Sequence, residues 1–404
     1  MSDSQKLAAI RQAMPVTRAK VFLNTGAAGP LSGVTLEALG RENRAELVEG
    51  RADSRGYAQL AAAKIAARER FARLVGAAPA EIALTHHPPD GMNIVAHGLN
   101  WQPGDEAVCT ALEHPGGFLP LYILRQRRGV TLKMVELSAG DSPDRIVARL
   151  EAAISPRTRL VVFSHVAWNT GQRLPLAKIA AMCRRRQVLS LVDGAQAAGA
   201  VPLDLPAGGV DFYAIPGQKW LCGPEGTGAL YLRRERLSMV WPTFVGYASM
   251  QPPNPYDLTG NYMPGKGAHR FEVATINRPT LKAMVANLDW LEETVGWEWI
   301  FGRIAHLAGY ARRAIGALPG ASIITPPGSQ AGLLSFTLNG YNPARITVKL
   351  AQAGIVARFI TEPYCVRIST GFYNSEADID RLVEELTAVL AAPPDSLPEY
   401  VSPW

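Results

Sequence analysis

In the stretch Leu189-Ser-Leu-Val-Asp193-Gly-Ala-Gln196, a mostly apolar run is followed directly by the polar residues Asp193 and Gln196. A short apolar run of this kind is typical of a strand that helices cover on both faces. In an open parallel sheet, ligands bind at the carboxyl ends of the strands, so Asp193 is placed to hold a cationic nitrogen. Taken alone, however, the stretch fits an Asp that caps the following turn better than it fits a ligand site.

A second apolar strand pattern ends in a lone lysine, in the stretch Val210-Asp-Phe-Tyr-Ala-Ile-Pro-Gly-Gln-Lys219-Trp-Leu-Cys-Gly-Pro-Glu-Gly-Thr-Gly228. In isolation, Lys219 could be a surface lysine at the end of a strand. A buried lysine instead has a lowered pKa and a nucleophilic amine, which Schiff-base chemistry requires. Because Asp193 lies one strand–helix–strand step upstream, the pair favours a pyridoxal-phosphate enzyme, with Lys219 on the cofactor aldehyde and Asp193 on the pyridine nitrogen.

Strand-like and helix-like segments alternate around these stretches, from about residue 60 to 235. This alternation predicts strand–helix–strand units and a largely parallel sheet. The predicted strands are 81–84, 106–110, 131–135, 160–164, 188–192, 212–215 and 228–232. The predicted helices between them are 91–99, 115–126, 142–154 and 176–187.

The remainder of the chain begins with a loop at 241–267 that is rich in Pro, Gly, Asn and Tyr. Long loops in compact chains usually line a site or an interface. After it, helices are predicted at 280–295, 297–318, 343–353 and 375–391, and strands at 332–338, 355–360 and 365–369. We therefore predict an α/β fold with a large domain at 20–260 and a smaller α+β domain formed by 1–19 and 261–404.

The composition argues against several other classes of protein. Apolar residues make up 48% of the 404 residues and charged residues 19%, which is a normal globular balance. The net charge of +6 is too diffuse to indicate nucleic-acid binding. The four cysteines form no Cys-x-x-Cys pair and no cluster with histidine, so we expect no metal site and no disulfide framework. No apolar stretch is long enough for a membrane helix, and we expect a cytoplasmic protein.

Other motifs make the pattern specific: Glu113-His-Pro-Gly116, Ser164-His-Val-Ala-Trp-Asn-Thr-Gly-Gln172 and Arg270-Phe-Glu-Val-Ala-Thr275. With the strand that ends in Asp193, they resemble the class V aminotransferase-like, fold-type-I pyridoxal-phosphate enzymes over nearly the whole chain. Within these the chain is similar to cystine or cysteine C–S lyases, to isopenicillin N epimerase-like proteins and, more distantly, to cysteine desulfurases. The resemblance implies a seven-stranded, mostly parallel sheet, a smaller C-terminal α+β domain and a homodimer with a shared active site.

The resemblance also implies roles at the cofactor. Lys219 would form the Schiff base and later carry the α-proton, and Asp193 would keep the pyridine nitrogen protonated. Gln196 would donate a hydrogen bond to the ring hydroxyl. His114 would stack on the ring, although it could instead only cap the helix that follows it. Thr275 would reach a phosphate across the dimer interface.

Further residues are implied for the amino-acid substrate. Arg367 would clamp the substrate carboxylate bidentately, with help from Asn169 and Asn24. Arg358 is either a second anion contact or a partner of a nearby glutamate. Cys365 could accept sulfur, but its position in a predicted strand favours a buried structural thiol.

The phosphate subsite departs from the family pattern. Relatives usually have small hydroxyl residues in the loop before the helix that ends in Asn, whereas this chain reads Thr85-His-His-Pro-Pro-Asp-Gly-Met-Asn93. Pro88 and Pro89 have no N–H to donate, and Asp90 brings negative charge towards a dianion. We call residues 85–91 the phosphate loop.

A second part of the same subsite is also altered, since Pro216 and Gln218 stand where relatives have a hydroxyl residue and a histidine. Three explanations remain open: other donors hold the phosphate, the cofactor binds weakly or in an altered pose, or the scaffold has abandoned the cofactor. The donors that could replace the family's set are Thr85, His86, His87, Gln218, Thr275 and the Gly91 N–H.

The resemblance favours one reaction, α,β-elimination from a cystine- or cysteine-type substrate, which gives pyruvate, ammonia and a thiol or persulfide. Two alternatives follow from the altered phosphate subsite. One is a different pyridoxal-phosphate transformation of an amino acid, by epimerisation, transamination or decarboxylation. The other is a non-catalytic protein on the same scaffold.

Overall fold

A computed structural model of the protein describes residues 2–251, 256–329 and 331–401. Its strands are β1 (Val21–Phe22), β2 (Ile82–Thr85), β3 (Glu106–Thr110), β4 (Thr131–Val135), β5 (Thr158–Ser164), β6 (Leu189–Asp193), β7 (Phe212–Pro216), β8 (Gly228–Leu232), β9 (Ala321–Ile323), β10 (Leu333–Leu338), β11 (Ile355–Val356), β12 (Arg358–Thr361) and β13 (Tyr364–Ser369). Its α-helices are α1 (Asp3–Ala13), α2 (Val16–Ala19), α3 (Gly33–Glu49), α4 (Ser54–Val75), α5 (Pro88–Gly98), α6 (Pro115–Arg128), α7 (Pro143–Ala153), α8 (Leu176–Arg185), α9 (Leu205–Gly208), α10 (Arg278–Asp289), α11 (Trp297–Gly316), α12 (Pro343–Gln352) and α13 (Glu376–Ala391).

The central sheet has seven strands in the order β2-β8-β7-β6-β5-β3-β4. The strands from β7 to β4 in that order run parallel, and β8 runs antiparallel to both of its neighbours. All seven strands predicted from the sequence are present, with ends shifted by at most two residues. The predicted fold class, α/β with a mostly parallel seven-stranded sheet, is confirmed.

Burial explains why these strands were visible in the sequence. Every residue of β6, β7 and β8 is buried. Successive residues along a strand face opposite sides of the sheet, so both sides need apolar residues. Tyr213 accordingly belongs to one apolar cluster and its neighbour Phe212 to another, and Val161 and Val162 divide in the same way. A continuous apolar run is the result.

A second, antiparallel sheet has the order β12-β13-β10-β9. It shares an apolar core with α11, α12 and α13, in which Phe336, Val366 and Leu382 are fully buried. Strand β1 pairs in parallel with β11, Val21 opposite Ile355, so the chain's first strand joins the C-terminal part of the molecule. Helix α10 packs on α3 and α4 beside the large sheet. The domain boundaries predicted above stay a prediction.

The loop predicted at 241–267 has little regular structure in its described part. It contains one 3₁₀ turn, Tyr247–Ser249, and isolated bridges from Met250 to Pro264 and from Tyr256 to Tyr262. Residues 252–255 of this loop lie outside the described residues. Every helix in the described ranges is too short or too polar to cross a bilayer.

Candidate active site

The carboxyl ends of three parallel strands bring the predicted catalytic residues to one edge of the sheet. Ser164 at the end of β5 lies in register with Asp193 at the end of β6, and Asp193 lies in register with Ala214 of β7. Lys219 follows three residues after β7 ends at Pro216. The sheet topology therefore places the lysine and the aspartate at the same edge, where ligands bind in open α/β sheets.

The two oxygens of the Asp193 carboxylate have different environments. Asp193 is buried, with 5% of its surface exposed. Its Oδ1 accepts a hydrogen bond of 2.8 Å from the Ala195 N–H and so caps the turn after β6. Its Oδ2 accepts no hydrogen bond from any residue in the described ranges. Turn capping and cofactor binding, which we weighed as alternatives, thus use different oxygens, and Oδ2 is free to meet a cationic nitrogen.

The Lys219 side chain is largely buried, and none of the described residues forms a hydrogen bond or an ion pair with its amine. Burial lowers the pKa of Lys219 to about 8; the Asp193 charge opposes this shift, while Arg367 and Arg358 add to it. At pH 7 about a tenth of such amines are neutral, far more than for an ordinary lysine. An unpaired and partly deprotonated lysine is suited to condense with an aldehyde.

The wall beside this lysine is built from Gln196 and Trp220. The Gln196 Oε1 accepts from the Trp220 Nε1 at 3.0 Å, and its Nε2 donates to the Gly26 carbonyl at 2.8 Å. These bonds fix the orientation of the amide and leave one of its two N–H groups for a ligand. A ring hydroxyl in this space would meet that N–H.

His114 is the N-cap of α6, where its Nδ1 accepts from the Gly116 N–H at 3.1 Å. The capping role considered for it is therefore real. Its ring also meets Trp168 edge-on, with centroids 5.1 Å apart. Partial burial and then the Lys219 charge lower the pKa of His114, so the ring is neutral at pH 7. A neutral imidazole fixed by capping is well suited to face an aromatic ring.

Arg367 is fully buried without a counterion in the described residues. Its Nη1 donates to the Trp168 carbonyl at 2.6 Å, whereas Nε and Nη2 have no partner. Burial, together with a smaller effect of the charge on Arg358, its register partner on β12, lowers the pKa of Arg367 to about 9. Buried polar groups in native proteins are nearly always paired. An unpaired buried guanidinium therefore indicates an anionic ligand.

More unpartnered polar atoms lie on residues near Arg367: on Trp168, whose carbonyl it contacts, and on Ser369 and Asn24 at the end of β13. Asn24 Oδ1, Trp168 Nε1 and Ser369 Oγ are buried and have no hydrogen-bond partner among the described residues. Asn24 and Ser369 face each other through a parallel bridge. The Asn169 side chain already has protein partners at both of its polar atoms. Its Nδ2 donates to the Glu362 carbonyl at 3.0 Å, and its Oδ1 accepts from the Thr170 N–H. The sequence motif that contains Trp168 assigned it no role, whereas its buried and unpartnered N–H makes it a candidate donor to a ligand.

The phosphate loop is built as the sequence indicated. His87 caps α5 and accepts from the Asp90 N–H at 3.3 Å. The Asp90 Oδ2 accepts from the His86 backbone N–H at 2.9 Å and lies 3.0 Å from its Nδ1. Since Pro88 and Pro89 have no N–H, a carboxylate and a histidine occupy donors that a phosphate would normally use.

Other donors remain near this loop. Thr85 Oγ1 is buried and unpartnered, so its hydroxyl can donate to a ligand. The unpartnered atom of Gln218 is Oε1, which only accepts, so Gln218 could serve a phosphate through its Nε2 alone. Thr275, whose hydroxyl bonds to Tyr247, lines the same cavity of about 950 Å³ as Thr85. Gly91 packs on the sheet, where a methyl group would come within 3.2 Å of the Ala214 side chain. The ring end of the site therefore fits pyridoxal phosphate well, and the phosphate end fits it through a reduced set of donors.

A nucleophilic lysine and a carboxylate with one free oxygen, held at the edge of a mostly parallel sheet, define a pyridoxal-phosphate enzyme of fold type I. The chain belongs to the class-V aminotransferase family, whose model, described as "Aminotransferase class-V", matches residues 21–382. The predicted family, enzyme class and cofactor are thereby confirmed.

Several known proteins are similar over most of their length. Isopenicillin N epimerase of Streptomyces clavuligerus is 33% identical over 385 residues, 91% of this chain and 94% of that protein. A probable cysteine desulfurase of Pseudomonas aeruginosa is 31% identical over 371 residues, 87% of each chain. The cystine C–S lyase C-DES, in complex with its product cysteine persulfide, superposes with a TM-score of 0.86 and 34% identity, over 92% of this chain and 98% of that one. A C-DES mutant with glycine covalently linked to its PLP cofactor superposes with a TM-score of 0.87 and 33% sequence identity. The match covers 93% of this chain and 98% of that one.

Proposed function

We propose that this enzyme is a C–S lyase, which eliminates the sulfur substituent from a cystine- or cysteine-type amino acid. One observation carries the proposal: the Arg367 guanidinium has no counterion among the described residues, and the pKa of Lys219 is low enough for part of its amine to be neutral. The guanidinium suits the carboxylate of an amino acid, and the neutral amine suits removal of its Cα proton. The similarity to C-DES, described as a cystine C–S lyase, supports the choice of sulfur substrate. Cys365 is buried, and burial raises its pKa to about 11, which disfavours a persulfide relay through that thiol.

In this proposal each end of the site has its own residues. The cofactor is held by Lys219, Asp193, Gln196, His114, Gln218, Thr275 and the Gly91 N–H. The substrate is held by Arg367, Asn169, Asn24 and Arg358. When bound, pyridoxal phosphate supplies an electron sink next to Cα.

The chain's own groups perform the remaining steps. Arg367 binds the substrate carboxylate through its free Nε and Nη2, which fixes Cα near Lys219. The Lys219 amine accepts the Cα proton. The Cβ–S bond then breaks, and its electron pair leaves on sulfur as a thiolate, or as a persulfide when the substrate is cystine. Hydrolysis of the remaining enamine gives pyruvate and ammonia.

We also propose that the enzyme works in the cytoplasm as a homodimer, with Thr275 reaching the partner's phosphate subsite. Large apolar side chains are exposed near this residue, among them Trp241 (65%), Phe244 (74%) and Tyr247 (61%). Exposed apolar surface of this kind usually marks a protein interface. Leu119 of α6, five residues after His114, is also exposed.

Product analysis tests the proposed reaction. The enzyme, reconstituted with pyridoxal phosphate, is expected to form equal amounts of pyruvate and ammonia from cystine, with one persulfide for each pyruvate. Cysteine should give pyruvate and sulfide, and alanine, which has no β-leaving group, should give no pyruvate. Absence of pyruvate from both sulfur amino acids would contradict the proposal.

Epimerisation is the second candidate, supported by the 33% identity to isopenicillin N epimerase. It shares proton removal at Cα but breaks no bond at Cβ. The same reaction run in D₂O separates the two. Amino acid recovered with deuterium at Cα and inverted configuration, without pyruvate, favours the epimerase; pyruvate without inversion favours the lyase.

The phosphate loop leads to a separate prediction about cofactor affinity. We expect the double substitution Pro88→Thr/Pro89→Thr to tighten pyridoxal-phosphate binding by about tenfold, because it restores two N–H donors and two hydroxyls at the start of α5. Affinity for pyridoxal, which lacks the phosphate, should stay within about twofold. The dissociation constants can be measured by absorbance titration of the cofactor-free enzyme.

A control exists at the start of α7, where Pro143→Thr makes one such change at another helix N-terminus. It should leave both affinities unaltered. If the double variant tightens pyridoxal as much as pyridoxal phosphate, the effect is not at the phosphate, and the assignment of this loop is wrong.

A further inference from the structure

Glu113 is a buried carboxyl at this edge of the sheet to which no role has yet been given. It follows β3 and is 5% exposed. Its Oε1 accepts from the Thr110 hydroxyl at 2.5 Å and from the Ser164 N–H at 2.8 Å, and its Oε2 contacts the Ser164 hydroxyl at 2.7 Å. No basic side chain in the described ranges pairs with it. The carboxyl is therefore held in one position without a counterion.

Glu113 lies beside the carboxylate that would meet the ring nitrogen. Ser164, to which it is bonded, is the register partner of Asp193. Both acids face Gly117 on α6: a methyl group there would be 3.4 Å from Glu113 Oε2 and 3.7 Å from Asp193 Oδ2. Because Gly117 has no side chain, the space between the two acids is open. The free oxygen of Asp193 and the outer oxygen of Glu113 thus face one narrow gap.

The charges around Glu113 couple it to Asp193. Burial raises the pKa of Glu113 to about 7; hydrogen bonds from Thr110 and Ser164 lower it, and the Asp193 charge raises it. Glu113 also acts on the Cys109 thiol of β3, whose pKa is raised well above its usual range by burial and by the Glu113 charge. With Asp193 unpaired, Glu113 is therefore close to half protonated at neutral pH.

We propose that Glu113 is the second carboxyl of the ring-nitrogen subsite, holding a proton while the subsite is empty and giving it up when the protonated ring pairs with Asp193. A positive charge on the ring cancels the repulsion from Asp193 and adds attraction, so it favours the ionised form of Glu113. By linkage, ionised Glu113 favours the protonated ring to the same extent. Glu113 is thus a positioning residue that acts through Asp193 to keep the ring an electron acceptor.

This inference rests on one element of the proposed function, the pairing of Asp193 with the ring nitrogen. Its test counts protons released when the cofactor-free enzyme binds pyridoxal phosphate, by calorimetry in two buffers of different ionisation enthalpy. At pH 7 the native enzyme is expected to release roughly half a proton more than Glu113→Gln, because only the native residue loses a proton. The difference should disappear at pH 9, where Glu113 is ionised with or without the ring.

A matched variant separates charge from structure. Ser164→Ala removes the hydroxyl contact to Glu113 Oε2 but keeps the carboxyl, so it should retain the extra proton release. Equal proton counts for the native enzyme and Glu113→Gln at pH 7 overturn the proposal, as does loss of the extra proton in Ser164→Ala. Melting temperatures of both variants show whether either change merely loosens the fold.

Asp193→Asn distinguishes a failure of this inference from a failure of the pairing beneath it. If it leaves cofactor affinity unchanged, the pairing is wrong and both ideas fail. If it weakens affinity at least tenfold while Glu113→Gln leaves the proton count unaltered, the pairing stands and the role of Glu113 alone is rejected.

Discussion

Lys219→Ala is expected to abolish covalent attachment of the cofactor and to reduce turnover by a factor of at least ~10⁴. No other amine is placed beside the free oxygen of Asp193 in the described part of the site. The visible band near ~420 nm that marks a lysine-bound cofactor should be lost, and borohydride should no longer fix the cofactor to the protein. Absorbance spectra and the mass of the borohydride-treated protein measure both effects.

Lys178→Ala provides the control, because Lys178 is exposed and its one partner among the described residues is Asp144 in α7. It should leave the spectrum and the activity unchanged. If Lys219→Ala still fixes one cofactor per chain on borohydride treatment, another lysine is the attachment site. The assignment of the whole active site then loses its basis.

Much of this site could be predicted because its strands are buried on both faces. Continuous apolar runs ending in Asp193 and just before Lys219 gave the strand ends, and parallel strands align their ends at one edge. The sequence also allowed His114 to cap a helix or to face the cofactor. The structure shows that it caps α6. For Asp193 the two alternatives use separate oxygens and are compatible.

The helices before residue 80 were not predicted in detail, for a physical reason. Helix α3 has few buried residues, and exposed apolar side chains such as Leu36, Leu47 and Val48 blur its helical pattern. Its packing partner is α10, more than 200 residues later, where the Thr35 hydroxyl lies 3.0 Å from Asn287 Oδ1. Local periodicity cannot report a contact that the chain makes over such a distance.

The same limit applies to the contacts behind the site. Glu113 was visible as part of a motif, but its proximity to Asp193 depends on Ser164 bringing β5 beside β6. The bond from Trp220 to Gln196 likewise joins residues from two different loops. Motifs identify which residue types are present, whereas charge coupling and unpaired atoms require the three-dimensional arrangement.

Arg367→Met is expected to separate binding from stability. The substitution removes two unpartnered guanidinium nitrogens that we assign to the substrate carboxylate. We expect kcat/KM to fall by a factor of about 10² or more, mainly through KM, because a charge-assisted bidentate contact is lost. The free enzyme should nevertheless melt at the same or a higher temperature, because an unpaired buried charge has been replaced by an unbranched apolar side chain.

Arg303→Met is the matched control, since Arg303 donates to both oxygens of Glu376 at 2.9 and 2.7 Å, away from the proposed pocket. Here the melting temperature should fall while KM stays constant. If Arg367→Met instead lowers the melting temperature and leaves KM unchanged, Arg367 is a structural residue. If Arg367 destabilises the ligand-free enzyme, its function is to bind the substrate. The opposite changes in melting temperature and KM expected for these two variants test this directly.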